Sequence, residues 1–488
     1  MNRVIRSRTL RQTVDRGTTS HGPRRAIAAV VLLATASVGC GGSANPSQSI
    51  SGSPSSDEPK SLDDLSEEEL EAWANAGDPD VPEPAPENQG TTDPTSTEDS
   101  VEETTTTVAA RVDASALTAD IEAAIDAFLA ESGVPGATLA VLMSDLDGSQ
   151  LHLETARGLS DVAADRSATP ADFYRWGSIT KTMTSVIVLQ LVEEGLIELD
   201  APVATYLGSG WASGYVWNGV DYGDLITIRQ ILNHTDGFPE YAFDPGFYIQ
   251  SSLRLETPYE PEEIVDWAIS VGPKYEPGTA YEYNTVGHVV AGLVIEAVTG
   301  QTADAVMQKR IFDPADAGDA VLTPASFPPN DDVAGYVQGD LKLAIDLLPG
   351  YAPYKEASVV GDFYDITVAP EAVVRSAGWT GGGLEAQADD VARIFRSEFT
   401  GALSKEMLTE FTTTSEFSNY GLGISVGEHS GHLAYSHGGG VPGFRSDAVY
   451  LPEFDITVVV STNLIPYQPD VGSLSGAVLD IILSALNG

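Results

Sequence analysis

Residues 174–181 of the chain read Tyr-Arg-Trp-Gly-Ser-Ile-Thr-Lys, an aromatic, glycine-punctuated approach that leads directly into a helix-forming stretch. Of the seven lysines in the chain, only Lys181 has a serine, Ser178, three residues before it. On a helix this spacing places both side chains on one face, one turn apart. A serine at the first turn also lies beside the positive end of the helix dipole, and a buried lysine shifts toward its neutral form. The stretch therefore predicts a nucleophilic serine with its own base.

The composition of the chain indicates a large globular protein with a strongly acidic surface. The 488 residues are 42% hydrophobic, and 71 acidic against 25 basic residues give a formal net charge of −46. A chain of this length and composition can bury a large core, as one large domain or as two of ordinary size. The charge argues against nucleic acid and against anionic membrane surfaces as partners, because both repel an acidic protein.

The first 39 residues are typical of an export signal. Arg24 and Arg25 precede an apolar run over 26–36, which is too short to span a bilayer, and Cys40 follows a small-residue site. Cys40 is the only cysteine, so an internal disulfide is impossible. The site resembles bacterial lipoprotein signals, in which this cysteine is acylated, although Ser37 replaces the usual aliphatic residue. Cleavage near Gly39 with a free terminal cysteine is the alternative, and the arginine pair also permits twin-arginine export.

Residues 40–112 and 113–488 differ sharply in composition. The first segment is rich in Ser, Thr, Pro, Gly and acidic residues, which predicts a disordered tether. The second begins with apolar residues at helical spacing behind a cap candidate, Asp113, and this helix is expected to stop at Gly133. We therefore expect a signal peptide, a tether and one folded domain.

The pattern of the folded domain places strands at its two ends and helices in its middle. Strands are predicted over 137–143 and 150–154, joined by a hairpin loop over 145–148, and again over 433–436, 444–451 and 456–461 before a closing helix over 471–486. This order favours an α+β fold in which one antiparallel sheet forms from both chain ends, flanked by helices, with a mostly helical subdomain inserted.

Further blocks of sequence accompany Ser178 and Lys181 in a fixed order. They cover residues 190–200, 226–237, 276–292, 420–423 and 437–444. Together they resemble the serine β-lactamase and penicillin-recognising superfamily, especially class C β-lactamases, D-alanyl-D-alanine carboxypeptidases and related esterases. The resemblance covers residue 113 to the C-terminus, with Asp236 where relatives carry serine. It implies a β-lactamase/transpeptidase-like fold and a serine hydrolase that acts through an acyl-enzyme on Ser178.

The resemblance also assigns a catalytic tyrosine, Tyr283. In this family the tyrosine relays the serine proton to the leaving group and later activates water. A phenol needs nearby positive charge to act as a base near neutral pH, and Lys181 can supply it. The sequence leaves open whether Lys181 or Tyr283 takes the proton of Ser178. Tyr281 is a competing candidate for the tyrosine position.

The third family motif falls on residues 437–440, which read His-Gly-Gly-Gly. By analogy, the N–H of Gly440 joins that of Ser178 in the oxyanion hole, while Gly439 lets substrate approach the backbone. His437 is expected to bond the tyrosine or a substrate carboxylate, with a charge that depends on pH.

Thr285 stands where relatives carry asparagine. A threonine hydroxyl reaches less far and makes fewer hydrogen bonds than an amide, so it holds the acylamide group of a substrate less well. We therefore expect weaker activity on β-lactams and peptidoglycan stems than on esters.

Several other groups imitate functional motifs. Ser425 lies in a Gly-x-Ser-x-Gly pattern, but a strand rather than a helix is expected after it. His429 and His432, near Glu428, are better explained by an exposed hairpin than by a metal site.

Two further segments invite a functional assignment. His234 lies in a turn after a helix, which favours a hydrogen-bonded structural histidine over a catalytic one. An aromatic loop over 208–223 is equally compatible with a cleft wall and with packing on the subdomain surface.

Two classes of function remain from sequence alone. The first is an exported, lipid-anchored serine hydrolase of small-molecule or peptidoglycan-derived substrates, either carboxypeptidase-like or an esterase. The second is a non-catalytic wall-binding or sensor protein that retains the fold. The mechanism requires no cofactor or metal, and we expect a monomer outside the cytoplasmic membrane whose only membrane contact is the anchor at Cys40.

Overall fold

The structure, a computed structural model, describes residues 113–144, 150–324, 333–339, 345, 348–465 and 469–487. The predicted signal peptide over 1–39, Cys40, the predicted tether over 40–112 and the predicted hairpin loop over 145–148 lie outside the described residues.

A seven-stranded antiparallel sheet is built from both ends of the folded part. Its order is β12-β13-β14-β15-β1-β2-β3, and the first and last segments of the domain meet where β1 pairs with β15. The strands are β1 (Gly136–Ser144), β2 (Gln150–Asp161), β3 (Arg166–Ser167), β12 (Ser425–His429), β13 (His432–Val441), β14 (Phe444–Leu451) and β15 (Ile456–Thr462). The predicted fold class is confirmed.

The two terminal helices cover one face of this sheet. They are α1 (Ala114–Ser132) and α13 (Val471–Asn487), and they share an apolar core with the sheet. The side chain of Asp113 accepts from the N–H groups of Ser115 and Ala116, so it caps α1 as predicted, and Gly133 ends the helix in the left-handed region. Val458 and Val460 of β15 pack into this core, and the other residues of β15 are buried as well. Both faces of the sheet are therefore covered, and the sheet is the middle layer of the domain.

The other face of the sheet carries the inserted helical part, which has its own larger core. Its described helices are α2 (Thr180–Glu193), α3 (Ala204–Leu207), α4 (Ile228–Leu232), α5 (Pro245–Ser252), α6 (Pro261–Val271), α7 (Val286–Thr299), α8 (Ala303–Met307), α9 (Lys355–Ser358), α10 (Ala372–Gly378), α11 (Ala388–Thr400) and α12 (Lys405–Thr412). Eleven of the fourteen residues of α2 are buried, ten of them contiguous over 180–189, which places the helix at the centre of the domain.

Short strands connect the helical part to the sheet. A three-stranded sheet joins β4 (Tyr174–Gly177), β11 (Leu384–Ala386) and β7 (Val321–Leu322). The remaining short strands are β5 (Val216–Trp217), β6 (Val220–Asp221), β8 (Tyr336–Val337), β9 (Val359–Val360) and β10 (Phe363–Asp365). Within the described ranges, no single helix is long and apolar enough to cross a membrane; only the bent pair Val286–Thr299 with Ala303–Phe312 reaches that length and composition jointly.

Two strands run longer than the sequence pattern predicts. β2 continues to Asp161 rather than residue 154, and β13 continues to Val441 rather than residue 436. Glycine lowers strand propensity, so the run 438–440 carries no strand signal. Pairing with β14 overrides it, since Gly439 lies opposite Ser446 and Gly440 opposite Arg445. This extension places His437 and Gly440 on a strand.

The extended end of β13 lies against β4, and glycine makes the contact possible. A Cβ added to Gly439 would lie 2.0 Å from the carbonyl oxygen of Trp176. A Cβ on Gly177, whose φ is +52°, would lie 2.8 Å from the nitrogen of Gly440. The hydroxyl of Ser446 also donates to the Trp176 carbonyl. The missing side chain of Gly439 therefore serves strand packing, which is a different reason from the substrate approach expected from the sequence.

The variant Gly439→Ala tests this contact. The added methyl group collides with backbone, which cannot move as a flexible side chain can, so we expect a loss of about 1–3 kcal/mol in the free energy of unfolding. Gly427→Ala, in β12 of the same sheet, is the control because its added Cβ meets nothing within 4 Å. Denaturant unfolding of both variants measures the difference; equal stability of the two would show that β13 does not depend on this contact.

Candidate active site

Ser178 lies in the turn between β4 and α2 and lines a cleft. The turn is fixed by the hydroxyl of Thr180, which donates to the Gly177 carbonyl at 2.6 Å and accepts from the N–H of Leu384 at 3.0 Å. Ser178 is partly exposed while its neighbours on both sides are buried. The local sequence therefore folds so that one hydroxyl projects from a buried strand-to-helix junction.

Lys181 is fully buried one turn after Ser178, as the spacing predicted. Its Nζ lies 3.0 Å from the Oγ of Ser178, 2.7 Å from the carbonyl oxygen of Gly381 and 3.4 Å from the Oγ1 of Thr285. An ammonium donates to all three oxygen atoms, whereas a neutral amine donates to two of them and its lone pair accepts from a hydroxyl, that of Ser178 or Thr285. The arrangement therefore holds Lys181 in either protonation state and aims it at the serine.

Tyr283 lies in the loop that leads into α7 and lines the same cleft as Ser178. The Nζ of Lys181 lies 4.9 Å from the centroid of the Tyr283 ring. This contact favours the cation and puts positive charge beside the phenol. Tyr281 is not among the described residues that line the cleft, so the geometry favours Tyr283 over the competing candidate.

His437 is buried, and both of its ring nitrogens face protein atoms. Nε2 lies 2.7 Å from the hydroxyl of Tyr420, and Nδ1 lies 2.6 Å from the carbonyl oxygen of Gly438. Burial, reinforced by the charge of Lys181, lowers the pKa of His437 to about 3. The tyrosine that His437 contacts is therefore Tyr420, whereas the sequence predicted Tyr283. The ring centroids of His437 and Tyr283 lie 6.2 Å apart. The lowered pKa makes the histidine neutral near pH 7.

Thr285 precedes α7 and keeps one of the contacts that an asparagine would make. Its backbone N–H donates to the Oε2 of Glu240 at 2.5 Å, while its hydroxyl faces Lys181. Glu240 is buried, and burial raises the pKa of its carboxyl. The charge of Lys181 and two backbone N–H donors lower this pKa, but burial has the larger effect. The long 3.4 Å contact agrees with the short reach of a threonine hydroxyl.

Sequence reasoning missed three contributors to this site. Glu240 anchors Thr285, Gly381 supplies a carbonyl oxygen to Lys181, and Tyr420 orients His437. Tyr420 stands in one of the sequence blocks that carry the family resemblance, so the sequence could have indicated it. Glu240 is an acidic residue near a turn, which is a weaker indication of a functional role. A backbone carbonyl such as that of Gly381 gives no indication, because every residue has one.

His234 lies closer to the site than its sequence context suggested. It is fully buried in the left-handed region, with its ring centroid 4.5 Å from that of Tyr283 and 4.7 Å from that of Tyr420. Its Nδ1 accepts from the N–H of Asn284 at 3.5 Å. Burial holds the pKa of His234 well below its usual range, so it is a neutral packing partner of the tyrosines.

The remaining imitation motifs lie away from the cleft. Ser425 begins β12 and is followed by strand, not helix. His429 bonds Asp480 and His432 bonds Glu453, each at the surface of the β12–β13 hairpin.

The aromatic loop over 208–223 packs on the helical part. Tyr215 and Trp211 contact the ring of Phe238, with Tyr215 fully buried. None of the described residues that line the cleft belongs to this loop.

The cleft has a volume of about 990 Å³, which includes the solvent-open space at its mouth. Ser178, Tyr283, Thr285 and Gly440 lie together on its wall. The remaining lining is mostly aromatic and aliphatic, and no charged side chain belongs to it within the described part of the chain. The site can therefore bring a carbonyl carbon to Ser178 in a largely apolar surrounding.

Comparison with known proteins agrees with the geometry. Residues 121–481 match the family model described as Beta-lactamase. Curated relatives include penicillin-binding protein 4 of Amycolatopsis lactamdurans, 31% identical over 39% of this chain and 45% of the relative, and lovastatin esterase of Penicillium rubens, 32% identical over 30% of this chain and 39% of the relative. The chain thus spans less than half the length of these two relatives.

A longer match and a solved structure extend the comparison. A putative D-alanyl-D-alanine carboxypeptidase of Escherichia coli O157:H7 is 24% identical over 70% of this chain and 80% of the relative. A D-stereospecific amidohydrolase from Streptomyces sp. has a solved structure that superposes with a TM-score of 0.59 at 28% identity, over 74% of this chain and 97% of that one.

The neutral state of His437 has a consequence for stability. Its pKa of about 3 lies below the value of about 6.5 in an unfolded chain, so the folded state disfavours the proton. The contribution of His437 is full above pH 6.5 and is lost as the pH falls toward 3. Between pH 6.5 and pH 5 the loss is about 1.5 kcal/mol.

We therefore expect the melting temperature of His437→Gln to fall less between pH 7.5 and pH 5 than that of the unaltered protein. His234 and His288, whose pKa values are lowered mainly by burial, remain in both proteins and account for the fall that the variant retains. Calorimetry at the two pH values measures the difference. An equal fall in both proteins would contradict a neutral His437.

Proposed function

The chain belongs to the beta-lactamase family of serine hydrolases, and from this premise we propose that it is an exported enzyme that hydrolyses carboxylic esters through an acyl-enzyme on Ser178. The single observation that carries the proposal is the 3.0 Å contact between the Nζ of a fully buried lysine, Lys181, and the Oγ of Ser178. A serine hydroxyl becomes nucleophilic when a base lies within hydrogen-bond reach.

The proposed reaction has two halves. The Oγ of Ser178 attacks the carbonyl carbon, its proton passes to the pair formed by Lys181 and Tyr283, and that proton leaves with the alcohol. The N–H groups of Ser178 and Gly440 stabilise the oxyanion; the close approach of Gly177 and Gly440 supports this role. Water that gives a proton to the same pair then attacks the acyl carbon, the bond from that carbon to the Oγ of Ser178 breaks, and the proton returns to the Oγ as the carboxylic acid leaves.

Two features favour esters over β-lactams and peptide stems. Thr285 offers a single hydroxyl at 3.4 Å from Lys181, where an amide would both donate and accept. His437 is neutral and faces Tyr420 and Gly438, so it lacks the charge that would bind a substrate carboxylate. A D-alanyl-D-alanine carboxypeptidase-like activity is the second candidate, and the relatives that carry this name favour it.

Ester hydrolysis by Ser178→Ala tests the assignment. We expect turnover of p-nitrophenyl butyrate to fall by at least about 1,000-fold, because the variant lacks the nucleophile. Ser425→Ala, at the start of β12, is the matched control and should retain activity. On the unaltered protein, a fluorescent penicillin should label Ser178 weakly.

Three results bear against parts of the proposal. Unchanged hydrolysis in Ser178→Ala would refute the nucleophile. Strong penicillin labelling without ester turnover would favour the carboxypeptidase-like candidate. Absence of both labelling and turnover would favour a non-catalytic wall-binding or sensor protein.

Export and anchoring form a separate part of the proposal and rest on the sequence signal around Cys40. The proposed arrangement is a signal peptide over 1–39, a lipid on Cys40, and a tether over 40–112 that holds the hydrolase outside the cytoplasmic membrane.

The variant Cys40→Ser removes the only acceptor for the lipid. In cell fractionation of a bacterial host that processes lipoproteins, the unaltered protein should sediment with membranes while the variant moves to the soluble fraction. Serine hydrolase activity should be the same in both. Membrane association that persists in Cys40→Ser would contradict lipid anchoring at this cysteine.

A further inference from the structure

We infer that the cleft beside Ser178 selects esters whose acyl group is large, apolar and uncharged, and rejects acyl groups that end in a carboxylate. The inference rests on the proposed ester hydrolysis at Ser178 and names the substrate class of that site. It follows from the apolar side chains of the cleft walls, from the cations near the cleft being bonded to protein groups, and from the position of the cleft relative to Ser178 and Tyr283.

The cleft walls are built from aromatic and aliphatic side chains of the helical part. Tyr241 stacks on Phe247 with ring centroids 4.7 Å apart, and Phe247 stacks on Tyr259 at 5.2 Å. Stacked rings of this kind give a stiff apolar surface. The principal lining residues are Tyr241, Phe247, Leu255, Leu348, Tyr351 and Val373. Burial of an alkyl or aryl chain against them is favourable by about 0.8 kcal/mol for each CH₂ group.

Three hydroxyl groups in these walls, those of Tyr241, Ser251 and Ser252, are already bonded within the protein. The hydroxyl of Tyr241 donates to the carbonyl oxygen of Ala377 at 2.9 Å. The hydroxyl of Ser251 lies 2.9 Å from that of Tyr259, and the hydroxyl of Ser252 donates to the carbonyl oxygen of Ile249. Burial raises the pKa of Tyr241 well above its usual range, so that phenol is neutral. These walls recognise shape and apolar area rather than polar substituents.

Lys181 lies beneath Ser178 and Thr285 with its Nζ bonded to three oxygen atoms, and the two arginines near the cleft are paired with carboxylates. Arg175 makes two hydrogen bonds to Glu371, at 2.7 Å and 2.5 Å, and lies 3.6 Å from Glu385. Arg375 donates to Glu385 at 3.1 Å.

A substrate carboxylate in the cleft would therefore lose its hydration without meeting a cation in the described lining, which costs several kcal/mol. The net charge of −46 on the whole chain opposes its approach as well.

In the inferred arrangement the acyl group of the ester lies against the apolar walls. Tyr283, which passes the proton to the leaving group in the proposed reaction, is flanked by His234 and Tyr420, with ring centroids at 4.5 Å and 6.1 Å. Neither of these two belongs to the described lining, whereas Thr285, Gly381 and Gly382 do. The leaving group departs on the side of Tyr283, and the acyl group that stays on Ser178 occupies the cleft beside Thr285, Gly381 and Gly382.

The experiment compares two substrates that differ in one group. The mono-p-nitrophenyl ester of adipic acid has the chain length of p-nitrophenyl hexanoate, with a carboxylate in place of the terminal methyl group. With the purified full chain at pH 7.5, kcat/KM for the hexanoate should exceed that for the adipate by at least about 100-fold, which corresponds to about 2.7 kcal/mol. In the series from acetate to octanoate, kcat/KM should rise with chain length.

A charge-reversal variant checks that the walls cause the selectivity. Val441 is half-buried at the end of β13 and lines the cleft beside Gly440. Val441→Lys should raise the ratio of adipate to hexanoate kcat/KM by about 10-fold through a new ion pair. Val441→Met is the matched neutral variant and should leave the ratio unchanged. Melting temperatures of both variants report whether the fold is retained.

The outcomes separate this inference from the proposed function. If neither ester is hydrolysed by the unaltered protein, or if Ser178→Ala hydrolyses both, the proposed function fails and the inference fails with it. If Ser178-dependent hydrolysis occurs but the adipate is used as well as the hexanoate, only the inference is overturned. If the hexanoate is preferred and kcat/KM does not rise with acyl length, the cleft does not hold the acyl group.

Discussion

The burial of one lysine side chain is the constraint on which the arrangement of this protein depends. Lys181 has no exposed surface, and a buried ammonium without acceptors is unstable by many kcal/mol. Three oxygen atoms surround its Nζ, from Ser178, Gly381 and Thr285. These residues come from the β4–α2 turn, the turn over Trp379–Gly381 and the start of α7. Satisfying one nitrogen therefore brings together three segments that lie far apart in the chain.

The fold supplies these segments from two sides. The helical part brings α7 and the Trp379–Gly381 turn to α2, where Thr184 donates to the carbonyl oxygen of Thr380 at 2.6 Å and Thr380 donates to that of His288 at 2.8 Å. The sheet brings β13 against β4 through Gly439 and Gly177. The serine lies at the junction, so a nucleophile, its base and the N–H group of Gly440 meet where the two parts of the domain join.

Local features of this site were predictable from sequence, and features made by tertiary contact were not. The pairing of Ser178 with Lys181 follows from helical spacing, and a sheet formed from both chain ends follows from the apolar runs there. By contrast, the neutral state of His437 depends on burial, and its partner Tyr420 comes from another segment. The cleft walls come from separate short segments, such as Tyr241, Leu255 and Val373, that no single pattern connects.

The central claim is that Lys181 makes Ser178 the acylated nucleophile. Its most direct test is rapid acid quenching of the protein with p-nitrophenyl hexanoate, followed by mass spectrometry of the peptides, for the unaltered chain and for Lys181→Met. The account predicts a hexanoyl adduct on Ser178 in the unaltered chain and at least a 100-fold slower appearance of that adduct in a folded Lys181→Met variant, on the order of the loss expected for a catalytic base. An adduct on another residue, no adduct in the unaltered chain, or acylation of Ser178 at the same rate in both proteins would contradict it.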